Sequence, residues 1–388
     1  MKKWLAIVFA AAMVTGYMVK PDSVRSAATF ADIDHHWSKD SIMKAVQAKY
    51  VDGYEDGTFK PDRTVSRAEF IKLAVSALKL PIDSSPSNEW YTPYLNTAVQ
   101  AGIHRYEDFN QDINGPITRQ EMSRIIVRAT MKELQKPEVY MDDKAFVFNA
   151  AKQGLIQGLN GGELGLGEAT TRAQSVTVVD RILRKNAGER LEVDKYAVGN
   201  AELLMKKTNM FTVMPEFFGG GAITGWDPDN LFVETPDGNY RGELDQVIAI
   251  DLEDPNDPNL KLLPPIEELK WDGLGNSYPV KDFMNSYVLL IKSIVIYNKD
   301  EQIYSKNMNY LPVTFVGIGT KNLKAFNKGE LNTVAQLLTD SGFLTAYLFP
   351  KKGLTTNGEI AIKTYAPARP PHPNYMKTIL NVLAPRTY

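Results

Sequence analysis

Three copies of one short pattern constrain this chain more than any other feature. They stand at Ser66-Arg67-Ala68-Glu69, Thr118-Arg119-Gln120-Glu121 and Thr171-Arg172-Ala173-Gln174, with their arginines 52 and 53 residues apart. A hydroxyl followed three residues later by an acid or amide marks a helix N-terminal capping box. The hydroxyl satisfies one orphan backbone N–H and the acid or amide reaches back to another. Ser66, Glu69, Thr118, Glu121, Thr171 and Gln174 are therefore expected to be structural caps. Behind them run Phe70, Ala74 and Leu78, then Met122, Ile126 and Ala129, then Val176, Val179 and Leu183. That spacing lays one apolar stripe of each helix on a core.

A second helix is expected ahead of each box, from the i, i+4 pairs Ile42 and Val46, Tyr94 and Ala98, Phe146 and Ala150. Gly102 and Gly154 suit left-handed helix C-caps, with Tyr50 at the matching place in the first unit. Thr92-Pro93 opens the middle unit's first helix, since proline at the first helical position loses no needed donor. Each unit reads as helix, turn-rich loop, capped helix. One such pair buries too little surface alone, so the three are expected to pack as one body. The arginines stand out, because a cation in a helix's first turn opposes the macrodipole. Either they pair with acids of the neighbouring unit, or they converge with helix N-terminal N–H groups on a bound anion.

The first unit resembles a known family nearly throughout. Phe30-Ala31-Asp32-Ile33-Asp34, Trp37, Gly53-Tyr54, Asp56-Gly57-Thr58-Phe59, Pro61 and Ser66-Arg67-Ala68-Glu69 are similar to the S-layer homology module. The second unit keeps Trp90, Gly102 and Ile117 to Glu121 but offers Asp108-Phe109-Asn110 for the turn. The third keeps Gly154-Leu155-Ile156, Gly158 and Thr170 to Ala173, with Gln174 for the acid and no tryptophan. The resemblance implies an all-α, three-module pseudo-trimer of helix-loop-helix repeats, with modules at 29–80, 88–132 and 140–186. It implies a partner too: a secondary cell-wall polysaccharide attached to peptidoglycan, with an anionic or pyruvylated sugar. Arg67, Arg119 and Arg172 would then meet the ligand's carboxylate, while Asp32, Asp34 and Trp37 would contact the sugar. For the acids the alternative is helix capping, and for Trp37 core packing. The weaker third unit leads to an expectation of one or two working grooves rather than three.

Composition agrees with export and a non-covalent hold on the surface. Lys2 and Lys3 precede an apolar run from Trp4 to Val19, and Ser26-Ala27-Ala28 suits signal peptidase, so 1–28 reads as a signal peptide. Sixteen residues at about 1.5 Å each fall short of a roughly 30 Å hydrocarbon core, so no membrane span is expected in the mature chain. The chain has no cysteine, which removes disulfides, lipid attachment and thiolate chemistry. A net charge of −2 gives no case for nucleic acid. The expected location is the cell wall or S-layer at the cell surface.

From 195 to 388 the repeat is gone and a β-rich (α+β) domain is expected. Strands are expected at Leu244–Asp251, Ser286–Tyr297, Pro312–Ile318, Phe343–Phe349 and Glu359–Tyr365, and a helix at Glu330–Leu338. Gly219 to Gly221 reads as a flexible turn. No His-Glu-x-x-His, Gly-x-Ser-x-Gly or P-loop occurs, so no catalytic residue, metal or cofactor is assigned. Asp251, Glu253, Asp254 and Asp257 read as a polar loop in preference to a calcium site. The functional expectation is a wall anchor displaying a domain that meets other surface proteins. The alternative is a wall-anchored hydrolase of polysaccharide or cell wall, drawing carboxylates from Glu216, Asp227, Glu234 or Asp245.

Overall fold

The computed structural model describes residues 30–82, 86–109, 112–219, 225–306, 308–319 and 322–388. The signal-peptide reading of 1–28 lies outside them, as do Asn110, Gly220 and Gly221. The chain has a helical N-terminal part and a β-rich C-terminal part.

Among the described residues six α-helices come from the repeats: α1 (Lys39–Gln47), α2 (Arg67–Ala77), α3 (Thr92–Gln100), α4 (Arg119–Thr130), α5 (Asp143–Lys152) and α6 (Arg172–Asn186). They pack in cyclic order, the capped helix of each unit lying on the first helix of the next: α2 on α3, α4 on α5 and α6 on α1. A ring of main-chain bonds closes the centre. Val65 N–H donates to the Thr170 carbonyl (3.0 Å), Thr170 N–H to Ile117 (2.9 Å) and Ile117 N–H to Val65 (3.0 Å). Around it Phe70, Ile126, Val176 and Ile182 form one shared core. Gly102 and Gly154 do take the left-handed conformation, at φ 69° and 73°. In the first unit Lys49 (φ 62°), one residue before Tyr50, takes that place.

A further helix, α7 (Lys195–Lys206), stands where the sequence suggested the β-rich part would begin. Val198 and Ala201 enter the helical core, whereas Leu203 enters a core of the β-rich part. Lys206 lies 4.9 Å from the Phe148 ring and 4.8 Å from the Phe211 ring, beside the buried Glu202 that accepts from Thr212.

Among the described residues ten strands follow: β1 (Phe232–Glu234), β2 (Tyr240–Asp251), β3 (Lys270–Asp272), β4 (Ser277–Pro279), β5 (Ser286–Asn298), β6 (Val313–Gly319), β7 (Ala335–Thr339), β8 (Gly342–Pro350), β9 (Thr355–Ala366) and β10 (Tyr375–Leu383). They form an antiparallel seven-stranded sheet, ordered β1-β2-β5-β8-β7-β3-β4, and a three-stranded sheet, β10-β9-β6. The apolar run from Tyr287 to Ile291 in β5 has a plain cause. Alternate residues point to opposite faces, and here both faces are covered. Leu289 and Ile291 pack with Ile360, Ile362 and Leu380, while Val288 packs with Ile248, Trp271 and Leu348.

The helix expected at Glu330–Leu338 is corrected. A short helix occupies Leu323–Phe326, and Ala335–Thr339 is strand β7, joined to β8 through a tight turn ending at Gly342 (φ 125°). Buried Ala335 and Leu337 alternate with half-exposed Gln336 and Leu338, a period of two that cross-strand pairing enforces over helix propensity.

Candidate functional site

All three capping boxes are formed. Ser66 Oγ accepts from Glu69 N–H (3.2 Å) and Glu69 Oε2 from Ser66 N–H (2.9 Å). The corresponding distances are 3.2 and 2.9 Å for Thr118 and Glu121, and 3.3 and 3.0 Å for Thr171 and Gln174. Each arginine thus sits at the first helical position, and its N–H binds a carbonyl of the neighbouring unit's loop. Arg67 donates to Gly115 (3.0 Å), Arg119 to Glu168 (3.1 Å) and Arg172 to Arg63 (2.8 Å). The next N–H in each helix does likewise. These helix N-termini therefore spend their orphan donors on protein carbonyls.

The three guanidinium groups differ. Arg67 is 2% exposed; its Nε and Nη2 both donate to Glu121 Oε1 (3.0 and 2.8 Å), and Nη1 to the Asp112 carbonyl (2.9 Å). Arg119, also buried, donates to the carbonyls of Leu164 (2.8 Å) and Gln157 (2.6 Å). Arg172 reaches the Asp52 carbonyl and stacks 4.4 Å from the Phe59 ring and 5.1 Å from the Tyr54 ring. Its Nε is buried without a partner, and among the described residues no carboxylate lies within ion-pair reach of it. Burial pulls this guanidinium below its ordinary pKa, which is the signature of a cation short of a counter-charge.

Arg172 forms one wall of an open groove of about 400 Å³. Asp52 and Tyr54 of the first loop, Lys72 of α2 and Trp90 of the second unit supply the others. Lys72 Nζ stands 5.8 Å from the Trp90 ring and 5.6 Å from the Tyr94 ring, and Trp90 is 50% exposed. Along one edge Arg63 Nη2 pairs with Glu69 Oε1 at 2.6 Å. A cleft of similar size beside α4 is crossed by its own ion pairs, Arg124 with Asp143 (2.7 Å) and Arg128 with Asp108.

The acids and tryptophan read from the first unit stand elsewhere. The Asp32 carboxylate accepts from Phe59 N–H (2.9 and 3.1 Å) and Lys60 N–H (2.7 Å), pinning the turn that supports the Arg172 stack. Asp34 makes an exposed pair with Lys39 (3.0 Å). Trp37 is 65% exposed, resting against His36 (5.3 Å), so it is not a core residue.

Comparison with known proteins gives these features a context. Residues 29–71 match the S-layer homology domain. The chain carries an S-layer homology domain. It is 35% identical over 136 residues to the S-layer protein sap of Bacillus anthracis, covering 33% of this chain and 16% of that protein. It is 30% identical over 188 residues to exoglucanase XynX of Acetivibrio thermocellus (43% of this chain, 17% of that one). A third relative, an amylopullulanase of Thermoanaerobacterium thermosulfurigenes, is 30% identical over 178 residues, 41% of this chain and 10% of its own. The chain thus spans less than a fifth of the length of each of these relatives. This S-layer homology protein is secreted and anchored at the cell-wall surface.

Motif reading of the S-layer homology domain did not single out Lys72, Asp52, Arg63 or Trp90 as site residues. Lys72 lies outside the capping motif, with Arg124 at its place in the second unit, and the Arg63 position holds Gly115 and Glu168 in the other units, a variation visible only on comparing the units. In the β-rich part the acidic loop is tied down internally: Lys351 bridges Asp251 (2.7 Å) and Glu253 (2.9 Å), and Lys195 takes Asp254. Among the described residues no group of three acids or histidines is placed to hold a metal, and no helix is long and apolar enough to cross a membrane. Asp227 caps a turn, Glu234 pairs with Arg241 (3.0 Å) and Asp245 with Lys207 (3.2 Å).

Proposed function

We propose that the groove walled by Arg172, Lys72, Tyr54 and Trp90 binds an anionic sugar group of a secondary cell-wall polysaccharide. In this reading residues 29–80, 88–132 and 140–186 act together as a three-pronged anchor, and the β-rich part is what the anchor displays. The observation that carries it is the Arg172 guanidinium, stacked on two rings with its Nε buried and unpartnered. A buried donor without an acceptor costs about 1–3 kcal/mol, which a ligand carboxylate or phosphate would recover as a charge-assisted bond. Lys72, which also has no carboxylate partner among the described residues, adds a second positive charge. Exposed Trp90 adds a flat apolar face of the kind that stacks on sugar rings.

The test is co-sedimentation of the full chain with purified cell walls, before and after stripping the secondary polymer. Binding should vanish on stripping. Arg172→Ala should weaken binding to native walls by about tenfold or more, the worth of one charge-assisted bond. A folded Arg172→Ala protein that binds native walls as tightly as the parent overturns the assignment.

A further inference from the structure

The three motif arginines are placed alike, yet among the described residues only Arg172 keeps a buried Nε–H without a partner. Their equivalence is set by the main chain, since Arg172, Arg67 and Arg119 bond to the carbonyls of Arg63, Gly115 and Glu168. The fourth box position beside each cleft holds Glu69, Glu121 and Gln174 respectively. Two of the clefts thus contain the same possible pair, an arginine and a glutamate, and resolve it in opposite ways.

In the second cleft Glu121 turns onto Arg67 and neutralises it (2.8 Å). The facing position is Gly115, which has no side chain to draw Glu121 away. The room left by its missing side chain is taken by Arg67 itself: a Cβ built there would lie 2.8 Å from Nη1. In the first cleft the facing residue is Arg63, whose Nη2 holds Glu69 Oε1 at 2.6 Å, while Ser66 N–H holds Oε2 at 2.9 Å. Both oxygens are engaged away from Arg172, although the two groups stand near enough to feel each other's charge. In the third cleft the facing residue is Glu168, the box residue is the uncharged Gln174, and Arg119 is spent on two carbonyls.

From this we infer that Arg63 is a positioning residue that keeps the groove receptive to anions by holding Glu69 off Arg172. Glu69, released, would act as a built-in competitor for the ligand's acid group, as Glu121 does on Arg67. The inference rests on the proposed reading of the groove as an anion site, and it adds what makes this groove differ from its neighbours.

The test uses the full chain with native and polymer-stripped walls. Arg63→Ala should weaken binding to native walls by about tenfold, and Arg63→Ala/Glu69→Gln should return it to within about threefold of the parent. Gln174 shows that an amide serves the capping box, so the double variant keeps its helix start. A double variant as weak as Arg63→Ala would show that Arg63 touches the polymer itself, and would overturn the inference. So would an Arg63→Ala protein that binds like the parent. A second readout needs no walls: solvent exchange of the Arg172 Nε–H, followed by NMR. It should slow in Arg63→Ala as Glu69 swings across, and recover in the double variant; unchanged exchange refutes the role given to Arg63. If the parent fails to bind native walls, the polymer reading falls, and the exchange measurement still decides what Arg63 does.

Discussion

Arg67→Ala separates a structural arginine from Arg172, the one proposed to bind. Arg67 is 2% exposed and its partner Glu121 is 8% exposed, so both charges were desolvated on folding. Truncation strips Glu121 Oε1 of two charge-assisted donors, at 3.0 and 2.8 Å, and the Asp112 carbonyl of a third at 2.9 Å. Removing one member of a buried ion pair costs about 3–5 kcal/mol, because the remaining charge is left uncompensated. For a cooperative body of this size that is a fall in Tm of roughly 10 °C. Arg172→Ala forfeits only ring stacking and one carbonyl bond, about 1–2 kcal/mol. Urea denaturation followed at 222 nm reads the helical part, where α1 to α6 lie. An Arg67→Ala loss below about 1 kcal/mol would refute the claim that this pair is desolvated and strong. Replacing both partners, as Arg67→Met/Glu121→Gln, should recover most of the loss, since no buried charge then remains.

Two further outcomes follow from the same part of the molecule. Asp108 is buried, which alone would raise its pKa, but its bonds to His104 and Arg128 more than offset that and hold it at about 2 against an ordinary 3.8. A carboxyl depressed in the folded state contributes stability that is present above its unfolded pKa and lost as pH falls toward the folded one. Stability should therefore drop between about pH 4 and pH 2, and less steeply in Asp108→Asn; equal slopes in acid denaturation would exclude this source. Gly102→Ala should destabilise by about 2 kcal/mol or more, because a left-handed residue would also place a Cβ 2.3 Å from the Gln135 carbonyl oxygen. Gly57→Ala, at φ 77° with open space around the new carbon, should cost only about 1 kcal/mol, and equal losses in urea would show that the contact is unimportant.

The helical half was legible because its information is local. A hydroxyl and an acid three residues apart specify a helix start wherever they fall, and the apolar stripe behind them specifies the buried face. The β-rich half was legible only where strands are long and apolar, as in β2, β5, β8 and β9. Strand β7 read as a helix because Val334 to Leu338 has no local preference strong enough to resist pairing with β8. Strand β10 passed unnoticed because Tyr375 to Leu383 mixes exposed and buried positions, including an almost fully exposed Leu383. Helix α7 carries no repeat signature, and its role in joining the two cores depends on what lies on either side of it in space.

The site was least legible for a reason the cyclic packing supplies. The groove of Arg172 takes its arginine from the third unit, its loop from the first and its aromatic wall from the second. The quality of a cleft is therefore not the quality of a unit. The third unit departs furthest from the family pattern, yet it provides Arg172, because the loop opposite that arginine belongs to the well-matched first unit. Conversely Arg67 belongs to the first unit and is consumed by Glu121, a capping residue of the second. What decides between these outcomes is the residue opposite, Arg63 in one case and Gly115 in the other, at a position where the capping motif places no demand. The repeat specifies the scaffold through the residues its copies share, and under the proposed reading it assigns binding through the residues in which they differ.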